Sequence, residues 1–397
     1  MQIDPIKIEQ LELTDIGCFE EIQIDFSPRF NLLCGANGVG KSTVLSVVAR
    51  AFSHHQSNLR RRSASSKPGK WSVDFVVGGM PHRATGSSEG LLPAEPDQPR
   101  TVFVDAGRSV LYFKATRDFL YSRLDAITRD PASDPHQWSS SAVLGIDQGD
   151  LKRWLANRYL FSAHPGSLSS RQVDDLAFAK ECFSILDSRV RFRSVDATSF
   201  DTYVDTPQGS VPFEYLSSGF RASLAMLLGI IREIEIRGFE GPAQSFPGVI
   251  LIDELDLHLH PTWQKAIVGA LKEAYPFAQF IVTTHSPHMI QHAELGEVIA
   301  LVSDGTSAPR VGNFETGRYG FKGWSLEEIL TDVMGLSETT SEIFSNAMRQ
   351  FDLAIERDDP ESVRFWMTEL EAMIHPTSHL RKLIRLQAGP IRGRFDD

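Results

Sequence analysis

The sequence predicts an α/β fold. It has a mixed sheet core with an antiparallel β portion near its N-terminus, a helical subdomain inserted in that core, and a helical C-terminal tail. Three observations predict it. "GANGVGKST" (Gly35–Thr43) sits between an apolar strand-like run and a stretch with helical spacing, the setting of a phosphate-binding loop. Two short apolar runs, "GVILIDEL" and "QFIVTTH", flank the helical "PTWQKAIVGALKEAY", a strand–helix–strand alternation. Between loop and strands, the character of residues 110–195 changes to helical periodicity.

Taken in order, "IKIEQLELTDI", "FEEIQIDF" and "FNLLCG" give two alternating strands and a buried apolar strand. "KSTVLSVVARAF" is a helix. Residues 53–70 are polar and basic and read as an exposed loop. "WSVDFVV" is a strand, "GGMPHRATGSSEGLLPAEPDQP" is loop-rich, and "TVFVDAG" is a strand again. "VLYFKATRDFLYSRLDAI", "DLKRWLANRYLF" and "SSRQVDDLAFAKECFSILDSRV" read as helices, none with sustained heptads. Strands resume in "VRFRSVDATSFDTYVDT", with a hairpin turn at "TPQGSVPF". In the tail, "SLEEILTDVMGL" opens on a capping box. Asp359 before Pro360 starts another helix, with Val363, Trp366, Met367 and Leu370 on one face. That face either packs on a core or serves a partner. The expected organisation is a core of 1–109 and 196–310, an inserted helical subdomain of 110–195, and a tail of 311–397 that contacts a dimer mate or a partner.

Hydrophobic residues at 42% and charged residues at 23% describe an ordinary globular chain. No apolar run is long enough to cross a membrane, and the N-terminus alternates like a strand rather than forming a signal peptide. Cys18, Cys34 and Cys182 are widely spaced and odd in number, which points to a reducing cytoplasm. A net charge of −11 argues against a surface built wholly to grip nucleic acid. One basic cluster, Arg60, Arg61, Arg62, Lys67 and Lys70, reads either as a solvated loop or as a local nucleic-acid contact.

The chemistry-bearing residues fall in four places. The glycines of the loop turn backbone N–H groups toward phosphate at a helix start, with Asn37, Gly38, Gly40, Lys41, Ser42 and Thr43 as expected contacts. Lys41 reaches the outer phosphates and Ser42 holds Mg²⁺. Asp253 ends an apolar strand as a second Mg²⁺ ligand, and Glu254 beside it suits a general base for the attacking water. His285 ends another strand, where a neutral imidazole can sense a terminal phosphate. His258, His260, His288 and His292 lie nearby without a cysteine, which disfavours a zinc site. Finally, Ser218 and Gly219 open the helix of "LSSGFRASLAM", about 35 residues before Asp253.

Lys41 and Asp253 are 212 positions apart, more than simple P-loop enzymes use. That order resembles the ABC-type ATPase heads, the superfamily of transporter motors, SMC heads, RecF and OLD-like ATPases. "GANGVGKST" resembles its Walker A, "LSSGFRASLAM" its signature, "ILIDE" its Walker B, "LDLHLHP" its D-loop and "TTHSP" its switch histidine. Phe220 and Arg221 depart from the signature of relatives, which often carry Glu or Gln there. A Q-loop glutamine is not evident; Gln148 is the one candidate. The tail from "GWSLEEILTDVMGL" onward is similar to the PtuA-type ATPases of Septu and retron anti-phage systems, which work with an HNH nuclease.

The resemblance implies ATP and Mg²⁺ as ligands and a homodimer or higher even oligomer. Ser218 and Gly219 of one copy would cap ATP held by Lys41 of the other. After His285, Asp304, Asp358 and Asp359 do not make the carboxylate cluster a nuclease needs, so an effector is expected to be a separate polypeptide. Three readings stay open: a hydrolysing ATPase that controls a nuclease, an ATP-bound scaffold with negligible turnover, and a RecF-like DNA-repair ATPase. Direct nucleic-acid binding would run through the partner or the Arg60–Lys70 loop.

Overall fold

The computed structural model describes residues 4–55, 59–92, 95, 98–115, 124–128, 130, 134–146, 149–303, 305–336 and 339–392. β1 (Ile6–Ile16) and β2 (Phe19–Asp25) form a hairpin, and β3 (Phe30–Gly35) leads through the glycine loop into α1 (Lys41–Arg50). β4 (Gly69–Val77), β5 (Met80–Ser88), β6 (Gln98–Thr101) and β7 (Val110–Phe113) follow. Next come α2 (Pro135–Leu144), α3 (Leu151–Phe161) and α4 (Ser170–Leu186), then the short strands β8 (Arg191–Val195), β9 (Thr202–Thr206) and β10 (Gly209–Pro212). α5 (Ser218–Ile236), β11 (Val249–Ile252), α6 (Pro261–Ala274), β12 (Gln279–Thr283), α7 (Pro287–His292), β13 (Val298–Val302) and β14 (Arg310–Val311) return the chain to the core. α8 (Leu326–Glu328), capped by Ser325 and Glu328, runs on as a π-helical turn.

The central sheet has the order β14-β13-β3-β12-β11-β7, parallel except for β14. β3, β12, β11 and β7 are buried on both faces, which is why they read as continuous apolar runs. Alternate residues feed two different cores. Leu32, Phe113, Ile252 and Val282 face α4, α5 and α6, while Leu33, Tyr112, Leu251 and Ile281 face α1 and the antiparallel sheet β2-β1-β4-β5-β6. β8, β9 and β10 form a separate small sheet.

The structure departs from the sequence expectations in three places. "VLYF" is a strand, not the head of a helix: β7 pairs parallel with β11, and all four residues are buried. A four-residue apolar run carries no period that separates the two readings. Within the "loop-rich" stretch after β4 lies the nine-residue β5 (Met80–Ser88), because Gly78 and Gly79, at φ 57° and 85°, form the tight turn of a hairpin. The strand expected at "TVFVDAG" lies earlier, at Gln98–Thr101, and Val104–Ser109 is a 3₁₀ turn.

The chain divides into compact units at Met1–Gly335 and Leu336–Asp397. The second unit holds α9 (Glu342–Glu356), α10 (Pro360–Met373) and α11 (His379–Arg392) around Phe351, Val363, Met367, Leu370 and Ile384. Val363, Met367 and Leu370 therefore pack inward. Among the described residues, no helix is long and apolar enough to cross a membrane.

Candidate functional site

β3, β12, β11 and β7 lie side by side and parallel, so their C-terminal ends share one sheet edge, where ligands bind in such folds. The loop leaving β3 depends on glycine at two positions. Gly35 has φ 136°, and a Cβ there would stand 2.2 Å from the Leu301 carbonyl oxygen. Gly40 has φ 94°, and its Cβ would meet the Phe19 ring at 2.5 Å. The loop thereby delivers the first turn of α1 to the sheet edge.

Lys41 is only 6% exposed. Its Nζ donates to the Gly35 and Ala36 carbonyls, both at 2.9 Å, and lies 3.5 Å from His285 Nδ1. An ammonium has no lone pair, so a hydrogen bond between them requires a neutral imidazole that accepts at Nδ1. Burial lowers the His285 pKa, and the Lys41 charge lowers it further.

Asp253 Oδ1 accepts from Ser42 Oγ at 3.0 Å and from Thr283 Oγ1 at 2.6 Å. Thr283 Oγ1 in turn accepts the Glu254 N–H at 2.7 Å. Asp256 Oδ1 accepts from Thr284 Oγ1 at 2.6 Å and from the His285 N–H at 3.0 Å. Two threonines at the end of β12 thus clamp the turn that follows β11. That turn is strained, with Glu254 at φ 50° and His258 at φ 64°. Thr283, Thr284 and Asp256 were not singled out from the sequence; "TTH" opposite "DELD" on adjacent strands is the signal that could have found them.

The Ser42 hydroxyl and Asp253 carboxylate, 3.0 Å apart, are hard oxygen donors and fit Mg²⁺, which takes one or two protein oxygens and keeps water and phosphate for the rest. Among the described residues, no three His, Cys, Asp or Glu gather to hold another metal. His260 instead caps α6 by accepting from the Thr262 N–H.

The second helix start is capped by Ser217, whose Oγ accepts the Phe220 N–H at 3.3 Å. Ser218 is exposed and Gly219 is buried. A Cβ on Gly219 would stand 3.1 Å from the His258 carbonyl oxygen, so this turn packs on the segment after Glu254. No hydrogen bond joins Ser218 or Gly219 to the phosphate loop among the described residues. The unusual Phe220 is buried and meets Trp263 edge-on at 5.3 Å. Arg221 Nη1 donates to the Glu214 carbonyl at 3.0 Å, stapling α5 to the turn before it.

Asn37 and Gly38 are exposed and line a cavity of about 540 Å³ with Cys18, Arg62 and Pro309. Thr43 lines another with Ser42. In the basic cluster, Arg61 donates to the Glu89 and Ser65 carbonyls, and Arg62 pairs with Glu20 at 3.1 Å. Gln148 and Asp304 lie outside the described residues.

Residues 106–290 match the family model "AAA domain, putative AbiEii toxin, Type IV TA system", and residues 10–80 match "AAA domain". Over 389 residues the chain is 36% identical to the Septu protein PtuA of Bacillus thuringiensis, covering 96% of this chain and 97% of that one. The chain belongs to the PtuA family. A shorter stretch, 18% of this chain and 14% of the other, is 45% identical to the "Retron Vc95 probable ATPase" of Vibrio cholerae serotype O1 biovar El Tor. A solved structure, the SMC head domain from Thermotoga maritima, is similar over 78% of this chain and 100% of its own, at 17% identity and a TM-score of 0.46. The PtuA-family match runs through both compact units, so the tail belongs to the family's chain as much as the phosphate loop does.

Proposed function

We propose that this chain binds ATP with Mg²⁺, hydrolyses it, and through that cycle controls a separate nuclease in anti-phage defence. One observation carries the reading. Lys41, Ser42, Asp253, Glu254 and His285 come from three segments spread over the chain and meet at the ends of adjacent parallel strands. Lys41 neutralises the outer phosphates. Ser42 and Asp253 would hold Mg²⁺, which when bound neutralises phosphate charge. Glu254, fixed at its backbone by Thr283, accepts the proton of the attacking water. Neutral His285 hydrogen-bonds the terminal phosphate and loses that bond on hydrolysis.

In this reading two copies sandwich two nucleotides, and the exposed Ser218 with Gly219 caps the neighbour's ATP. The effector is a second polypeptide, an HNH-type nuclease. Direct DNA gripping is the weaker alternative, because Arg61 and Arg62 already have partners within the chain.

Steady-state phosphate release and sedimentation of the wild type and Glu254→Gln test the proposal. Loss of a general base is expected to slow turnover about 10²–10⁴-fold and to accumulate an ATP-bound dimer. Unchanged turnover removes Glu254 from its role. ATP binding without any Glu254-dependent release favours the scaffold reading. Co-elution with the product of a neighbouring gene, with and without ATP, tests the partner.

A further inference from the structure

The end of β7 carries a lysine, Lys114, beside the candidate site. β7 runs parallel to β11 with Phe113 opposite Ile252, and the Asp253 N–H donates to the Phe113 carbonyl at 2.8 Å. The next residue, Lys114, therefore leaves the sheet beside the carboxylate that ends β11. Its stem rests against the backbone at Gly145, where a Cβ would stand 3.0 Å from Lys114 Cγ. Its ammonium lies 5.9 Å over the ring of Tyr112. Among the described residues it has neither a hydrogen bond nor an ion pair.

Lys114 is half-buried. It lines a cavity of about 480 Å³ together with Ser42, Thr43 and Ser46 of α1 and with Arg60. Burial lowers the Lys114 pKa, and the Asp253 carboxylate acts against that. With the Tyr112 ring and the Asp253 carboxylate near it but no hydrogen-bonded counter-charge, a half-buried ammonium gains when an anion joins it. The cavity already borders the helix start that faces phosphate.

We propose that Lys114 is a further residue of the nucleotide site, a cation that meets the phosphate chain of ATP from the β7 side while Lys41 meets it from the β12 side. The proposal rests on the ATP reading above. An ammonium donates but cannot ligate a metal. Lys114 therefore contributes charge and hydrogen bonds to phosphate oxygens whether or not Mg²⁺ is present.

The test is titration of the full chain with a fluorescent ATP analogue, in EDTA and in Mg²⁺, alongside phosphate release. Lys114→Met keeps the stem and removes the charge; Lys114→Arg keeps the charge; Lys41→Met is the control. In EDTA, Lys114→Met is expected to weaken binding about 10- to 100-fold, the worth of one charge-assisted hydrogen bond. Lys114→Arg restores most of that loss, and Mg²⁺ narrows the difference. If Lys41→Met loses binding while Lys114→Met matches the wild type in EDTA and in turnover, Lys114 is not part of the site and the ATP reading stands. If the wild type binds no analogue in either condition, the ATP reading falls and this proposal falls with it.

Discussion

Replacing Thr283 by Val changes the shape of the β12 end very little and removes one hydroxyl. Thr283 is fully buried. That hydroxyl donates to Asp253 at 2.6 Å and accepts the Glu254 N–H at 2.7 Å. Losing the charge-assisted bond costs about 1.5–3 kcal/mol, and leaving the Glu254 N–H without an acceptor costs about 1–3 kcal/mol. One hydroxyl makes both bonds, so the terms do not simply add, and the expected loss is about 2–5 kcal/mol. Against a typical stability of about 5–15 kcal/mol this is a large fraction. Urea unfolding of the full chain reads the total. Hydrogen exchange at the Glu254 amide reads the local effect and should accelerate, and phosphate release should fall if Glu254 is the base proposed above. Thr283→Ser keeps the hydroxyl and should cost only about 1 kcal/mol, the value of a buried methyl. An unchanged unfolding midpoint with unchanged exchange at Glu254 would refute the reasoning.

Three further outcomes follow from the same geometry. Gly40→Ala forces a Cβ to 2.5 Å from the Phe19 ring at φ 94°; binding of an ATP analogue should drop at least about tenfold, as a distorted loop loses one or more phosphate contacts. Phe220→Ala empties the space beside Trp263 and should cost about 3–5 kcal/mol in urea unfolding; a stable variant would mean that Phe220 is not a packing residue. Burial holds the Asp175 pKa up at about 6, against an unfolded value of 3.8. The unfolded chain ionises first, so this group's contribution to stability falls as pH rises from 3.8 to 6. Asp175→Asn keeps the acceptor for the Ala243 N–H and should abolish a loss of about 2 kcal/mol between pH 4.5 and 7, visible as a smaller shift in the unfolding midpoint.

That the glycine loop, Asp253, Glu254 and His285 stand at strand ends was legible in the sequence, because each motif is local: a glycine pattern or an apolar run ending in one polar residue. Thr283, Thr284, Asp256 and Lys114 were not. Their meaning comes from which strand lies beside which, and the order β3-β12-β11-β7 is written nowhere in the spacing. β7 itself was misread because four apolar residues buried on both faces have no period. β5 was hidden by the two glycines that make its turn. Phe220 and Arg221 were visible as departures from the signature. Their roles, one packed on Trp263 and the other tied to Glu214, needed the fold.

The place of β3 in the central sheet bears on how the chain is made. β3 lies between β12 and β13, both of which are encoded about 240 residues or more after it. At about 5–20 residues per second of synthesis, β3 waits roughly 12–50 s for its first neighbour. Until then the apolar segment "FNLLCG" lacks both of its native strand partners, and an unpaired apolar segment is the kind that pairs with other chains. A chain that ends before Gln279 leaves both edges of β3 without their native partners, so no such fragment can complete the parallel pairing of the central sheet.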